Sequence, residues 1–193
     1  MSDTKIENVM PWGRSMEEYI HMFALSQADL DSRILSCADG PASFNAEMTE
    51  RGKSVKSVDP IYAFSPDEIR QRIDDTKEII LKNTKAHLDK YRWDTIKDLE
   101  ELERTRMVAM NTFLEFFETG KHQKRYIPGA LPNLDFPDQT FDLVLCSHCL
   151  FTYTEQLDLD FHIASILEML RVGKEVRIFP LLDMNGETST HLE

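Results

Sequence analysis

Residues 33–60 read RILSCADGPASFNAEMTERGKSVKSVDP, and the order of apolar runs and turn residues in this stretch decides the fold. Ile34-Leu35-Ser36-Cys37 is a short strand that runs into the turn Ala38-Asp39-Gly40-Pro41, and a helix is predicted over about 42–51. Gly52 closes that helix as a left-handed cap would, because glycine has no Cβ to clash there. Ser54-Val55-Lys56-Ser57-Val58 is a second strand, halted at Asp59-Pro60. Strand, helix and strand in that order predict a parallel pair joined by a right-handed crossover. In open parallel sheets ligands bind beyond the carboxyl ends of the strands. Ser36 to Phe44 occupy such an end, and Asp59 follows Gly40 at about twenty residues, where an acid reaches ribose hydroxyls. Together they describe a nucleoside site.

The alternation continues outward. Met16, Tyr19, Ile20, Phe23 and Leu25 recur at helical spacing, which makes 1–32 a helical cap. Ser65-Pro66-Asp67-Glu68 supplies an N-cap, a first-turn proline and acids at the positive end of a helix. Ile69, Ile73 and Ile80 mark the stripe of that helix. Ile96, Leu99, Leu102, Met107, Met110, Phe113 and Phe117 mark the stripe of a second, with the break near Trp93-Asp94. The pair forms a helical insertion over 66–121, whose stripe is read as core, with a lid or a dimer surface as alternatives. Tyr126-Ile127 is a short strand, 128–139 a loop, and FDLVLC (141–146) an apolar strand suited to cover on both faces. A helix over 157–170 and a last strand over 175–182 follow. The predicted fold is one α/β domain over 1–193, a Rossmann-like and mostly parallel sheet with helices on both faces.

With 193 residues, 41% of them hydrophobic, the chain suits a single core. Its 34 acids against 22 lysines and arginines give a net charge of −12, which opposes nucleic acid as a partner and favours a small molecule or a protein. No apolar run of about 18 residues is present, and MSDTKIENVMPWGR lacks the apolar core of a signal peptide. No membrane partner and a cytoplasmic location are therefore expected. Cys37, Cys146 and Cys149 are too few for a secreted disulfide framework. The run Cys146-Ser147-His148-Cys149 beside Cys37 would suit zinc, but Cys37 and Cys146 fall on apolar strand positions and no second pair completes a ligand set. No metal is expected.

ILSCADGPASF (34–44), VKSVDP (55–60) and LPNLDFPDQTFDLVLCSHCLF (131–151), with a helix and EVRIFPLL (175–182) behind them, resemble the class I S-adenosylmethionine-dependent methyltransferases. The resemblance runs from about residue 12 to 182, and VMPWGR (9–14) and YIHMF (19–23) resemble the cap of one bacterial subgroup of uncharacterised members. It implies S-adenosylmethionine as cofactor and methyl transfer to a small-molecule or protein acceptor. Ser36, Ala38, Asp39 and Gly40 would then belong to the cofactor site, with 38–40 against the methionine part. Asp59 would hold the ribose with Pro60 beside it, Ile61 would flank the adenine, and Ala130 and Leu131 would touch it. Ser147, His148 and Phe151 would lie beside the methyl donor, His148 as candidate general base. Trp12, Arg14, Tyr19 and Phe151 would line the substrate pocket, Arg14 meeting a carboxylate through its planar fork.

The class usually has an acid where Ser36 stands and glycines where Ala38 and Ala42 stand. Alanine is harmless there at negative φ and costly at positive φ. This supports a second expectation, a methyltransferase-like binding or scaffold protein with weak or no turnover. A nicotinamide-dependent enzyme is a third, opposed by the lack of G-x-G-x-x-G spacing. Beyond the fifth strand the class adds a helix and an antiparallel strand pair, for which 183–193 is too short. Strand 176–182 is then expected at an open edge, covered by a homodimer partner or by a missing C-terminal segment.

Overall fold

The computed structural model describes residues 11–88 and 93–192; Val9, Met10 and the rest of the cap before Pro11 lie outside the described residues. The chain runs α1 (Met16–Phe23), α2 (Gln27–Leu30), β1 (Arg33–Cys37), α3 (Phe44–Glu50), β2 (Ser54–Val58), a 3-10 turn (Pro60–Ala63), α4 (Pro66–Ala86), α5 (Leu99–His122), β3 (Tyr126–Ile127), β4 (Phe141–Ser147), α6 (Leu159–Val172) and β5 (Gly173–Phe179). Five parallel strands form one sheet in the order β3-β2-β1-β4-β5. The winding reverses between β1 and β4, so their carboxyl ends mark the switch point at which open sheets of this kind bind ligands. The architecture is α/β and Rossmann-like.

Local chemistry sets the element ends. Ser15 and Ser65 each close a capping box, with Glu18 and Glu68 respectively, and Asp98 and Asp158 accept backbone N–H bonds at the starts of α5 and α6. Alternation along β1 and β4 then splits the core. Ile34, Leu143 and Leu145 face α1 and α3, while Leu35, Cys37, Val144 and Cys146 face α6. A third cluster stacks Tyr62, Phe113, Phe117 and Tyr126, and so fastens the α4–α5 hairpin to β3 at the sheet edge. The insertion stripe is therefore core at Leu102, Met110, Phe113 and Phe117, and half-buried at Ile96 and Leu99.

The last strand departs from its predicted bounds. It begins at Gly173 and stops at Phe179, because Pro180 has no N–H to continue the ladder. Leu181 and Leu182 leave the sheet, and the tail folds back on them through Ser189 N–H to Leu181 O (3.1 Å) and an antiparallel bridge between Leu182 and Thr188. In the described sheet β5 is an edge strand. No described helix is long and apolar enough to cross a membrane.

Candidate functional site

Register brings two serines together. Ser36 of β1 lies opposite Ser57 of β2, and both hydroxyls donate to the carboxylate of Asp39, at 2.5 and 2.6 Å. Asp39 reaches them because the chain turns sharply after β1, with Ala38 and Gly40 at φ of 56° and 53°. Tyr19 of α1 donates its phenol to the same carboxylate. Asp39 is 5% exposed; burial pushes its pKa up while the three hydroxyls hold it down. Burial and the Asp39 charge push the Tyr19 phenol well up, so it stays a donor. The hydroxyl of Ser147, at the end of β4, lies 2.9 Å from His148 Nδ1. A polar network thus joins the carboxyl ends of β1 and β2 to α1 of the cap.

Asp59 forms a second knot. Its Oδ2 accepts the Gly40 N–H (2.9 Å) and its Oδ1 the Ile61 N–H (2.8 Å), while the Tyr62 hydroxyl donates to Gly40 O (2.8 Å). Burial raises the pKa of Asp59 to about 6 against the pull of the two amide bonds. A carboxylate has about four lone-pair sites, so each oxygen keeps one direction for a further donor. Pro60 opens the 3-10 turn that follows, and Ile61 packs beside Trp12 against the Tyr62 cluster.

The cap crosses directly above this turn. A Cβ on Gly13 would lie 2.0 Å from Pro41 O, so only glycine permits the crossing. Ser43 N–H donates to Arg14 O (3.0 Å), and Glu47 accepts from both Met16 N–H (3.0 Å) and the Ser43 hydroxyl (2.6 Å). Arg14 Nη1 turns back to Trp12 O (3.1 Å). Loss of hydration, and then the charge of Arg106, lower the Arg14 pKa to about 10. Arg106 projects from the middle of α5 and pairs with Glu18 of α1, which ties the insertion to the cap. His148 holds φ at 49°, donates its N–H to Phe179 O (2.7 Å) and sets its ring edge-on to Phe179. Burial, followed by the charges of Arg14 and Arg106, lowers its pKa to about 2. The imidazole is neutral and, as it stands, a weak base.

Ser36, Asp39 and Tyr19 thus form one bonded group, Gly40, Asp59 and Ile61 a second beside the turn at Ala38 and Pro60, and Ser147 and His148 a pair at the end of β4, while Arg14 is bonded to Ser43 and Trp12 packs with Ile61. Ala130, Leu131 and Phe151 have other contacts. Ala130 O accepts Asn133 N–H (3.1 Å), Leu131 is buried with Leu35 and Val58, and Phe151 packs on the His162 ring. A cavity of about 520 Å³ flanks β3, lined by Val58, Ile127, Gly129 and Leu134 with Lys56 and Lys121. Arg106 and Ser57 escaped the sequence reading. Arg106 carried a signal, since it falls on the apolar stripe of α5, four residues after Leu102 and four before Met110.

Fold and site define a Rossmann-like α/β protein with a capped, buried polar cluster at its switch point. The chain is 35% identical over 182 residues to the uncharacterized protein MJ0045 of Methanocaldococcus jannaschii, with 94% of this chain and 81% of the relative covered. It belongs to the family of that protein. No family model and no solved structure matches the chain.

Proposed function

We propose that the chain binds S-adenosylmethionine and directs methyl transfer to a small-molecule or protein acceptor. The observation that carries this reading is Asp59, fixed at the end of β2 by Gly40 and Ile61 with one lone-pair direction left on each oxygen, as paired ribose hydroxyls require. When bound, the cofactor would supply an electrophilic methyl on a sulfonium, with a neutral thioether as leaving group for an acceptor whose lone pair bonds that methyl carbon. Asp59 holds the ribose, and the 38–40 turn lines the methionine end. Ser147 and the neutral His148 orient the acceptor, so the chief contribution of the chain is positioning. A cytoplasmic location goes with this reading and with the unpaired Cys37, Cys146 and Cys149.

One observation favours the second reading, a binding protein without turnover. Ala38 sets a methyl group on the left-handed turn where bare backbone would let a ligand approach. Calorimetric titration with S-adenosylmethionine, S-adenosylhomocysteine and a nicotinamide dinucleotide separates the readings. Both sulfur ligands are expected to bind and the dinucleotide is not. Asp59→Ala is expected to weaken S-adenosylhomocysteine at least tenfold, about 1.4 kcal/mol and within reach of one charged hydrogen-bonding group. Unchanged affinity in that variant removes the ribose assignment, and binding without turnover on any acceptor supports the second reading.

A further inference from the structure

We propose that the cavity beside β3 is a ligand site apart from the one above, and that it takes a small organic anion with an apolar body. The proposal does not depend on the methyl-transfer reading.

The helical layer stops short of this part of the sheet. Lys56 of β2 stands in register with Leu35 of β1, which pairs with Val144 of β4, which pairs with Val176 of β5. The three apolar members of that row belong to the cluster that α6 covers with Met169 and Val172. The connection from β3 to β4, residues 128–140, contains no helix that would extend the cover over β2 and β3. The cavity of about 520 Å³ lies there, within the range of about 300–1,000 Å³ that small-molecule sites occupy.

One wall is the loop after β3, and it is held in place from α6. Arg171 donates to Phe136 O (2.9 Å) and Leu134 O (3.0 Å), while Glu168 accepts the Leu134 N–H (2.8 Å). Gly129 brings the loop so near β2 that a Cβ on it would stand 3.0 Å from Val58 Cγ1. The cavity is thus preformed, and Val58, Ile127, Leu134 and Phe136 give it an apolar lining.

The charged side chains lining it are Lys56, Lys121, Lys124 and Asp135, three cations against one acid in a chain of net charge −12. Among the described residues none of the three lysines forms an ion pair. Lys56 Nζ donates to Lys124 O (3.2 Å) and Lys121 Nζ to Phe64 O (3.4 Å), both neutral carbonyls. Lys121 has a further reason to be there, since cations in the last turn of a helix complement its dipole. Lys56 has none, being in mid-strand on an otherwise apolar row. Lysine acts as a point charge without a fixed fork, so the site selects for charge and apolar body rather than for the shape of the head group. Asp39, Gly40, Asp59 and Ile61 are not in its lining.

The test follows backbone amide resonances of the full chain by NMR during titration with anilinonaphthalene sulfonate, with its neutral parent phenylnaphthylamine and with inorganic phosphate. The sulfonate is expected to shift Lys56, Ile127, Gly129 and Leu134 saturably, the neutral compound to bind about tenfold more weakly, and phosphate not to saturate. Lys56→Gln is expected to weaken the sulfonate about threefold, and Lys56→Gln, Lys121→Gln and Lys124→Gln together about tenfold or more. Lys56→Arg, which keeps the charge, is expected to stay within about twofold of the parent chain. The three lysines are exposed or half-buried, so these changes leave the core intact. Equal binding of the neutral compound, saturation by phosphate alone, shifts confined to α6, or binding unchanged in the triple variant overturns the proposal. Displacement of the sulfonate by S-adenosylhomocysteine assigns the cavity to the cofactor site and overturns it as well.

Discussion

Ala38 carries the turn after β1 at a φ of 56°, where an L-residue crowds its own carbonyl at roughly 1–2 kcal/mol. Glycine removes the crowding but adds freedom to the unfolded chain, so Ala38→Gly is expected to raise the unfolding free energy by about 1 kcal/mol in urea denaturation. Ala42, also expected where glycine is usual, is not among the left-handed residues and needs no such relief. Asp59 gives a prediction in pH. Its pKa of about 6 in the folded chain stands above the ordinary 3.8, so the folded state holds the proton more tightly. Asp59 thus favours folding as pH falls from about 6 toward about 4 and opposes it above that window. Ribose hydroxyls need the carboxylate form, so ligand affinity runs the other way. S-adenosylhomocysteine is expected to bind about tenfold more weakly at about pH 5 than at about pH 7.5 in calorimetry.

The elements were legible to different depths. β1, the turn and β2 could be read almost residue for residue, since strand length, glycine cap and strand-end proline all agree there. β5 could not, because Ile178-Phe179-Pro180-Leu181-Leu182 is apolar straight through Pro180 and apolarity does not report where the ladder loses a donor. The site was legible where one segment holds it, as at 36–40 and 59–61. Contacts between distant segments, such as Ser57 with Asp39 or Arg106 with Glu18, depend on register and crossing that no local pattern contains. The aromatic stack of the insertion was legible in part, through the spacing of Phe113 and Phe117 on α5. Phe117 is fully buried there, against Tyr62, Phe113 and Tyr126. Phe117→Ala is expected to lower stability by about 3–5 kcal/mol, measured by chemical unfolding, because the cavity falls where α5 meets the sheet edge.

At the scale of the molecule the described sheet ends in β5, and the neighbouring helix does not finish burying its apolar side. Leu159, Ile163, Leu167 and Leu170 are all exposed along one stripe of α6, Leu167 at 61%. An open strand beside such a stripe favours association with other chains. Light scattering is expected to give a mass above that of the monomer, and Ile163→Lys with Leu167→Lys to lower it. A clean monomer with slow amide exchange across Val176 to Phe179 would count against this. The opposite side of the molecule is closed by the Glu18–Arg106 pair, whose partners are 88 positions apart in sequence. A contact of that span forms only after the hairpin and the cap have been ordered, since the entropy of closing so long a loop comes first. The pair therefore acts late in folding, and its strength governs how fast the native chain comes apart rather than how fast it forms.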